Sequence, residues 1–307
     1  MIKKFLRWLI LGGTLFFLAT ALKDNWQGIT AIRIDAVGWA IIAIATGVTL
    51  LGHTWAGWIW TWILKHLNQP VSSVQFIQVY LQTNLAKYLP GNVWHYYGRI
   101  MAAKNANIST AVATLSVLLE PLLMAAAALI VVLSSSLFVQ TNTNLTIHIG
   151  QILGLVVVLC VLHPRFLNLL IRLMHRLKAK KSDPTNTSPS DVSFTMENYP
   201  LLPLLGEIGF LGLRGIGFIL TFYALSSLNL SQIPLLFTAF SFAWLLGLVV
   251  PGAPGGLGVF EATAIALLQN YFPTAVVISA IAVYRLVSML AEITGASLAW
   301  LDERLFK

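Results

Sequence analysis

The chain is 307 residues long, 57% hydrophobic and only 10% charged, with a formal net charge of +8. Soluble domains carry about 25% charged residues, so this composition excludes a soluble enzyme or a nucleic-acid-binding domain and points to an all-α polytopic membrane protein. About six to eight spans of roughly 20 residues fill such a length, which leaves no room for a soluble catalytic domain.

Phe5 to Leu22 is the first apolar run. Residues 1–21 also mimic a secretory signal, with Lys3, Lys4 and Arg7 ahead of the apolar stretch and Ala19-Thr-Ala21 after it; we read them as an uncleaved first span. Ala36 to Leu64 is the second span, and Trp55, Trp58, Trp60 and Trp62 crowd its end as an aromatic belt at the bilayer interface. Gln75 to Leu89 is helical in pattern but carries Gln78, Gln82, Asn84 and Lys87, too polar for a lipid-exposed span. Pro90-Gly91 stops it, and a second short helix runs from Val93 to about Lys104. The two arms are read as a re-entrant hairpin over residues 74–104, the other reading being two interfacial helices on the cytosolic face.

Ser109 to Phe138 is the next span, interrupted by Glu120-Pro121, where the proline is expected to kink the helix. Leu145 to Leu162 follows, and its lone Cys160 serves as a small packing residue. Residues 179–198 are polar and Ser-, Thr- and Pro-rich, a cytoplasmic linker that divides a first membrane half, 1–178, from a second, 199–307. Tyr199 to Leu228 spans the bilayer although it holds Glu207 and Arg214. A second hairpin, 234–270, is formed by apolar arms around Val250-Pro-Gly-Ala-Pro-Gly-Gly-Leu-Gly-Val-Phe-Glu261, and Pro273 to Trp300 is the last span, with Arg285 and Glu292 inside it.

This gives about six full spans and one hairpin in each half, the plan of an inverted repeat with broken helices. The basic residues Lys3, Lys4 and Arg7, and Arg165, Arg172, Arg176, Lys178, Lys180 and Lys181, put the N-terminus and the linker in the cytoplasm.

A charge at mid-bilayer costs at least about 2.5–3.5 kcal/mol, so it faces a partner or water. Lys87, His95 and Arg99 surround the first break, Glu120 lies in the following span, Glu261 follows the second break, and Arg285 and Glu292 lie in the last span. Two readings are open. These charges pair internally and fix helix packing, or Lys87, Arg99 and Arg285 attract an anion such as a lipid phosphate, with Glu120 and Glu261 as counter-charges or proton sites. Pro254, Gly255, Gly256 and Gly258 precede a helix whose N-terminus offers N–H groups to an anion. No Lys-Ser or Lys-Thr follows them and no strand precedes them, so neither a nucleotide loop nor a dinucleotide fingerprint is present. The six histidines have no metal-ligand spacing, no Gly-x-Ser-x-Gly element occurs, and we expect neither metal nor cofactor.

The stretches Pro90-Gly-Asn-Val-Trp-His-Tyr-Tyr-Gly-Arg99, Val117-Leu-Leu-Glu120, Pro251-Gly-Ala-Pro-Gly-Gly-Leu-Gly-Val-Phe-Glu-Ala262 and Tyr284-Arg285 resemble, in order and spacing, the transmembrane region of the lysylphosphatidylglycerol synthase/flippase family. The resemblance runs from about residue 8 to 300. It implies a flippase-like membrane protein without the soluble synthase domain, and it carries over Pro90, Gly91, Arg99, Glu120, Pro254, Gly255, Gly256, Gly258, Glu261 and Arg285. Many relatives have an Arg after the mid-span Glu where this chain has Pro121, so Glu120 needs another partner or stays protonated.

The expectation is a multi-pass plasma (inner) membrane protein that moves a phospholipid or lipid-linked substrate between leaflets through a polar groove, a transporter rather than an enzyme. The substrate is a membrane lipid with an anionic or phosphate-bearing headgroup, and the partners are a second copy of the chain or a separate synthase or transferase. The alternative is an intramembrane transferase or accessory subunit acting on polyprenyl-phosphate or glycolipid substrates, with Glu120 or Glu261 as base.

Overall fold

The computed structural model describes residues 20, 23–89, 93–138, 145–169, 198–250 and 253–306, and every described element of secondary structure is a helix. In chain order these are α1 (Trp26–Ala31), α2 (Ala36–His66), α3 (Ser73–Asn84) with a 3₁₀ turn Leu85–Tyr88, α4 (Trp94–Asn105), α5 (Thr110–Ser136), α6 (Leu145–Val161), α7 (Leu201–Tyr223), α8 (Ile233–Val249) with a 3₁₀ turn Leu230–Gln232 before it, α9 (Val259–Leu268) and α10 (Thr274–Phe306). The expected span Phe5 to Leu22 apart from Thr20, the tip residues Pro90 and Gly91, and all but the last residue of the linker 179–198 lie outside the described residues.

Among the described residues, five helical stretches are long and apolar enough to cross a membrane: Ala36–His66, Thr110–Ser136, Leu201–Tyr223, Leu230–Val249 and Thr274–Leu305. With the apolar composition they make this a multi-pass membrane protein. The stretch Leu230–Val249 was expected as a short hairpin arm. It starts earlier because Gln232 Oε1 accepts the Asn229 N–H at 2.9 Å, which begins the helical path at Leu230.

Helix ends follow local chemistry. Asp35 caps α2 by accepting the Gly38 N–H at 2.7 Å. The same helix ends at Asn68, whose φ of 56° is left-handed, with the Gln69 N–H returning to Leu64 O at 2.9 Å. Helix α4 ends the same way at Asn107, φ 62°, with the Ile108 N–H returning to Ala103 O. Both are asparagine versions of the left-handed stop. Helix α5 runs through Pro121 from Thr110 to Ser136, so the proline removes one N–H without ending the helix.

The four tryptophans of α2 divide between two faces. Trp55, Trp58 and Trp62 pack edge to edge with centroids 5.4–6.2 Å apart. Their spacing of three and four residues puts them on one stripe. Trp60 is off that stripe and fully buried against Phe76 and Tyr80, so it is a wall of the interior and not a belt residue.

Arms α3 and α4 pack on each other and on α2, α5 and α10, while α8 and α9 pack on each other and on α7, α5 and α10. The arms of the first hairpin are thus part of the helical assembly. Behind the second tip, Phe218, Phe240, Phe260 and Tyr284 from four helices form an aromatic core with centroids 5.3–6.3 Å apart. Edge-to-face pairs of this kind each contribute roughly 0.5–1.5 kcal/mol beyond area burial.

The tips meet. A Cβ on Gly255 would lie 2.9 Å from the Tyr88 ring, and one on Gly256 would lie 3.2 Å from Gly247 Cα; both glycines have positive φ, 60° and 72°. Gly256→Ala is therefore expected to destabilise the protein by at least about 1–2 kcal/mol from left-handed backbone alone. Gly212→Ala, mid-helix in α7 with nothing within 4 Å of the new Cβ, should be neutral or stabilising. Equilibrium unfolding in mixed micelles distinguishes the two, and equal stability of both variants contradicts the tip geometry.

Candidate functional site

A polar cavity of about 140 Å³ lies where the two tips meet α2, α5, α7 and α10. Of the residues expected to form a site, Lys87, His95, Arg99, Glu120, Gly255, Gly256 and Arg285 line it. Gly258 and Glu261 are not among its lining residues, and Pro90 and Gly91 lie outside the described residues, as does the side chain of Pro254.

Each of the three expected cations has a carboxylate. Arg99 Nη1 donates to Glu120 Oε2 at 2.6 Å, and the Tyr80 hydroxyl donates to Glu120 Oε1 at 2.7 Å. Glu120 thus finds its partner on α4 and α3, not beside itself at Pro121. The guanidinium of Arg99 lies over the Tyr80 ring at 3.6 Å and 5.8 Å from the Trp60 centroid, an aromatic floor for a buried cation.

Arg285 works at the second tip. Its Nε pairs with Glu261 Oε1, and its Nη1 and Nη2 donate to the carbonyls of Gly255 and Gly256 at 3.3 and 3.2 Å. The second oxygen of Glu261 accepts the Gly258 N–H at 2.7 Å. The N-terminus of α9, expected to offer N–H groups to an external anion, therefore already holds a carboxylate of its own chain. Free backbone at a broken helix is satisfied by one ion pair on both its donor and acceptor sides.

The third pair links the tips to α10. Lys87 Nζ lies 2.6 Å from Glu292 Oε1. The same oxygen is 3.2 Å from His53 Nε2, and that nitrogen is 2.9 Å from Arg214 Nη1. Farther along α10, Gln78 Nε2 donates to Asp302 and Gln82 Nε2 to Glu303 Oε2 at 3.0 Å. Arm α3 is thus fastened to α10 by three polar side chains.

Arg214, Glu292, His53, Tyr80, Asn84 and Tyr284 belong to the cavity wall although sequence reading did not place them in the site. Glu207 and Arg214 share a face of α7 without pairing, as do Arg285 and Glu292 on α10. Glu207 is fully buried, and neither of its oxygens has a hydrogen-bond partner among the described residues. No group of three or more His, Cys, Asp or Glu side chains among the described residues is arranged to hold a metal ion.

A polar, charge-lined cavity inside an apolar bundle can take up a small polar group while the remainder of an amphipathic molecule stays in lipid. A family model described as "Lysylphosphatidylglycerol synthase TM region" matches residues 5–294. No curated protein matches the chain.

Removing one partner of a buried ion pair costs about 3–5 kcal/mol, while replacing both with apolar residues is often near neutral. Glu120→Gln and Arg99→Gln should each lower stability on that scale, and Arg99→Met/Glu120→Leu should be more stable than either. Unfolding of the three variants in mixed micelles measures this, and a double variant less stable than both singles removes the pair as a unit.

Proposed function

Because the chain belongs to the lysylphosphatidylglycerol synthase transmembrane-region family, a family of membrane proteins of lipid metabolism or transport, we propose that it moves a phospholipid or lipid-linked substrate between leaflets. The headgroup passes through the cavity between the hairpin tips and the acyl chains remain in the bilayer. One observation carries this reading: two broken helices meet at a cavity whose wall bears paired charges at Lys87, Arg99 and Arg285. Irregular backbone in a membrane protein is tolerated where it is buried or lines a polar cavity, and discontinuous helices of this kind form transport sites.

The ion pairs serve a transport cycle better than free charges do. A cation held by a carboxylate of the same protein stays neutralised whether the cavity is empty or holds the headgroup. This lowers the cost of burying charge in either state. On the same reading the basic residues around Lys3 and Arg165 face the cytosol of the plasma (inner) membrane. Without a nucleotide loop in the sequence, movement is passive or ion-coupled.

The test is a leaflet-accessibility assay with fluorescent phospholipids in reconstituted vesicles. The wild-type protein should speed equilibration over protein-free vesicles, and Arg285→Gln or Glu261→Gln, which free the tip from α10, should lower that rate by about tenfold or more. Rates equal to protein-free vesicles overturn the reading, and equal rates in wild type and both variants remove the second tip from it.

A further inference from the structure

Charges around the cavity do not cancel residue by residue. Lys87, Arg99 and Arg285 are each bonded to a carboxylate, but Arg214 has no carboxylate within ion-pair distance among the described residues. Its bonded neighbour is the imidazole of His53, a neutral acceptor at best. Glu292 bonds Lys87 and His53 instead, and neither oxygen of Glu207 has a hydrogen-bond partner among the described residues.

The His53 contact is also contested. Nε2 lies 2.9 Å from Arg214 and 3.2 Å from Glu292. An imidazole nitrogen carries either a lone pair or a proton, so it accepts from Arg214 or donates to Glu292 but does not do both. In the second state the Nη1 of Arg214 loses its acceptor. Arg214 Nε is buried without a partner among the described residues in either state, and the residue, only 6% exposed, lines the cavity. A buried guanidinium with an unfilled donor is costly unless a ligand completes it.

Arg214 is also well placed. Tyr284 donates its hydroxyl to the Arg214 carbonyl at 3.2 Å and presents its ring 5.4 Å from the guanidinium. Arg99 Nε, His95 Nδ1 and Glu292 Oε2 in the same wall are buried and have no hydrogen-bond partner among the described residues either, so the described wall is short of polar partners. The forked donors of arginine match a phosphate or carboxylate edge, and the anion abundant in a bilayer is the phosphodiester.

We propose that Arg214 is the anion-binding residue of this cavity and that it takes the phosphate of a lipid headgroup; this rests on the transport reading for the route by which the lipid arrives. The phosphate replaces His53 as acceptor for Arg214 and leaves His53 free to donate to Glu292. Lys87, Arg99 and Arg285 keep their carboxylates, so Arg214 sets the preference for phosphate over an uncharged headgroup.

Binding separates this inference from transport. The full chain in maltoside micelles, which carry no phosphate, is titrated with dihexanoyl-phosphatidylglycerol, dihexanoylglycerol and inorganic phosphate. The wild type should bind the phospholipid and not dihexanoylglycerol. Arg214→Gln should weaken phospholipid binding roughly 10- to 100-fold, and Arg214→Lys, which keeps the charge and loses the fork, roughly 3- to 10-fold. Inorganic phosphate that competes only weakly identifies the lipid as the source of the group. Inorganic phosphate that binds as tightly as the phospholipid, through Arg214, overturns the lipid assignment.

Should Arg214→Gln fail to assemble, Arg214→Lys against wild type decides, and an undiminished affinity there overturns the proposal. So does equal wild-type affinity for phospholipid and dihexanoylglycerol, or no binding of the phospholipid. Arg214-dependent binding together with no acceleration of lipid movement in vesicles leaves the inference standing and removes the transport reading alone.

Discussion

Backbone groups released where a helix breaks inside an apolar bundle need partners from the protein itself, and this requirement organises the protein around its second tip. Arg285 takes two carbonyls of the Gly255-Gly256 turn, and its partner Glu261 takes the Gly258 N–H. One ion pair thus closes an irregular segment that helix geometry cannot satisfy. The glycines contribute the complementary condition. Their positive φ values allow the turn, and their missing side chains let Tyr88 and Gly247 come close. Charge and the lack of a side chain are two parts of one local solution.

The same requirement acts on the first hairpin by another route. Arm α3 is too polar to face lipid, and its polar side chains find partners inside: Tyr80 on Glu120, Lys87 on Glu292, Gln78 and Gln82 on the end of α10. Residues that made the segment anomalous as a span are the ones that fasten it. The aromatic residues around them are equally directed. Trp60 and Tyr80 lie under Arg99, where a low-dielectric wall strengthens the Arg99–Glu120 attraction and raises the cost of losing either partner.

Local features were legible in the sequence and long-range ones were not. Pro90-Gly91 and Pro254-Gly-Gly mark breaks because proline and glycine act on their own backbone, and the helices around them fall close to the expected bounds. The apolar runs gave the membrane class directly. The pairing of Lys87 with Glu292, 205 residues away, leaves no trace in spacing, since it depends on how α3 is laid against α10. Trp60 was grouped with its neighbours because a count of aromatics ignores the 100° turn between successive positions. His53, Asn84 and Arg214 were each legible as a polar residue inside an apolar run. His53 has no metal-ligand spacing to mark it, and only the fold brings the three to one wall.

Helix α10 is bonded to both tips, to the first through Glu292 and to the second through Arg285, two helical turns apart on one rod. A rigid element bonded to two parts makes the effect of each on the other reciprocal. Any displacement that weakens the Lys87–Glu292 contact changes the position of α10 relative to Gly255 and Gly256, and a shift at the second tip returns the same coupling energy to the first. Both hairpins are thus held to one beam, α10, and the position of each is set partly by the contact the other makes with it.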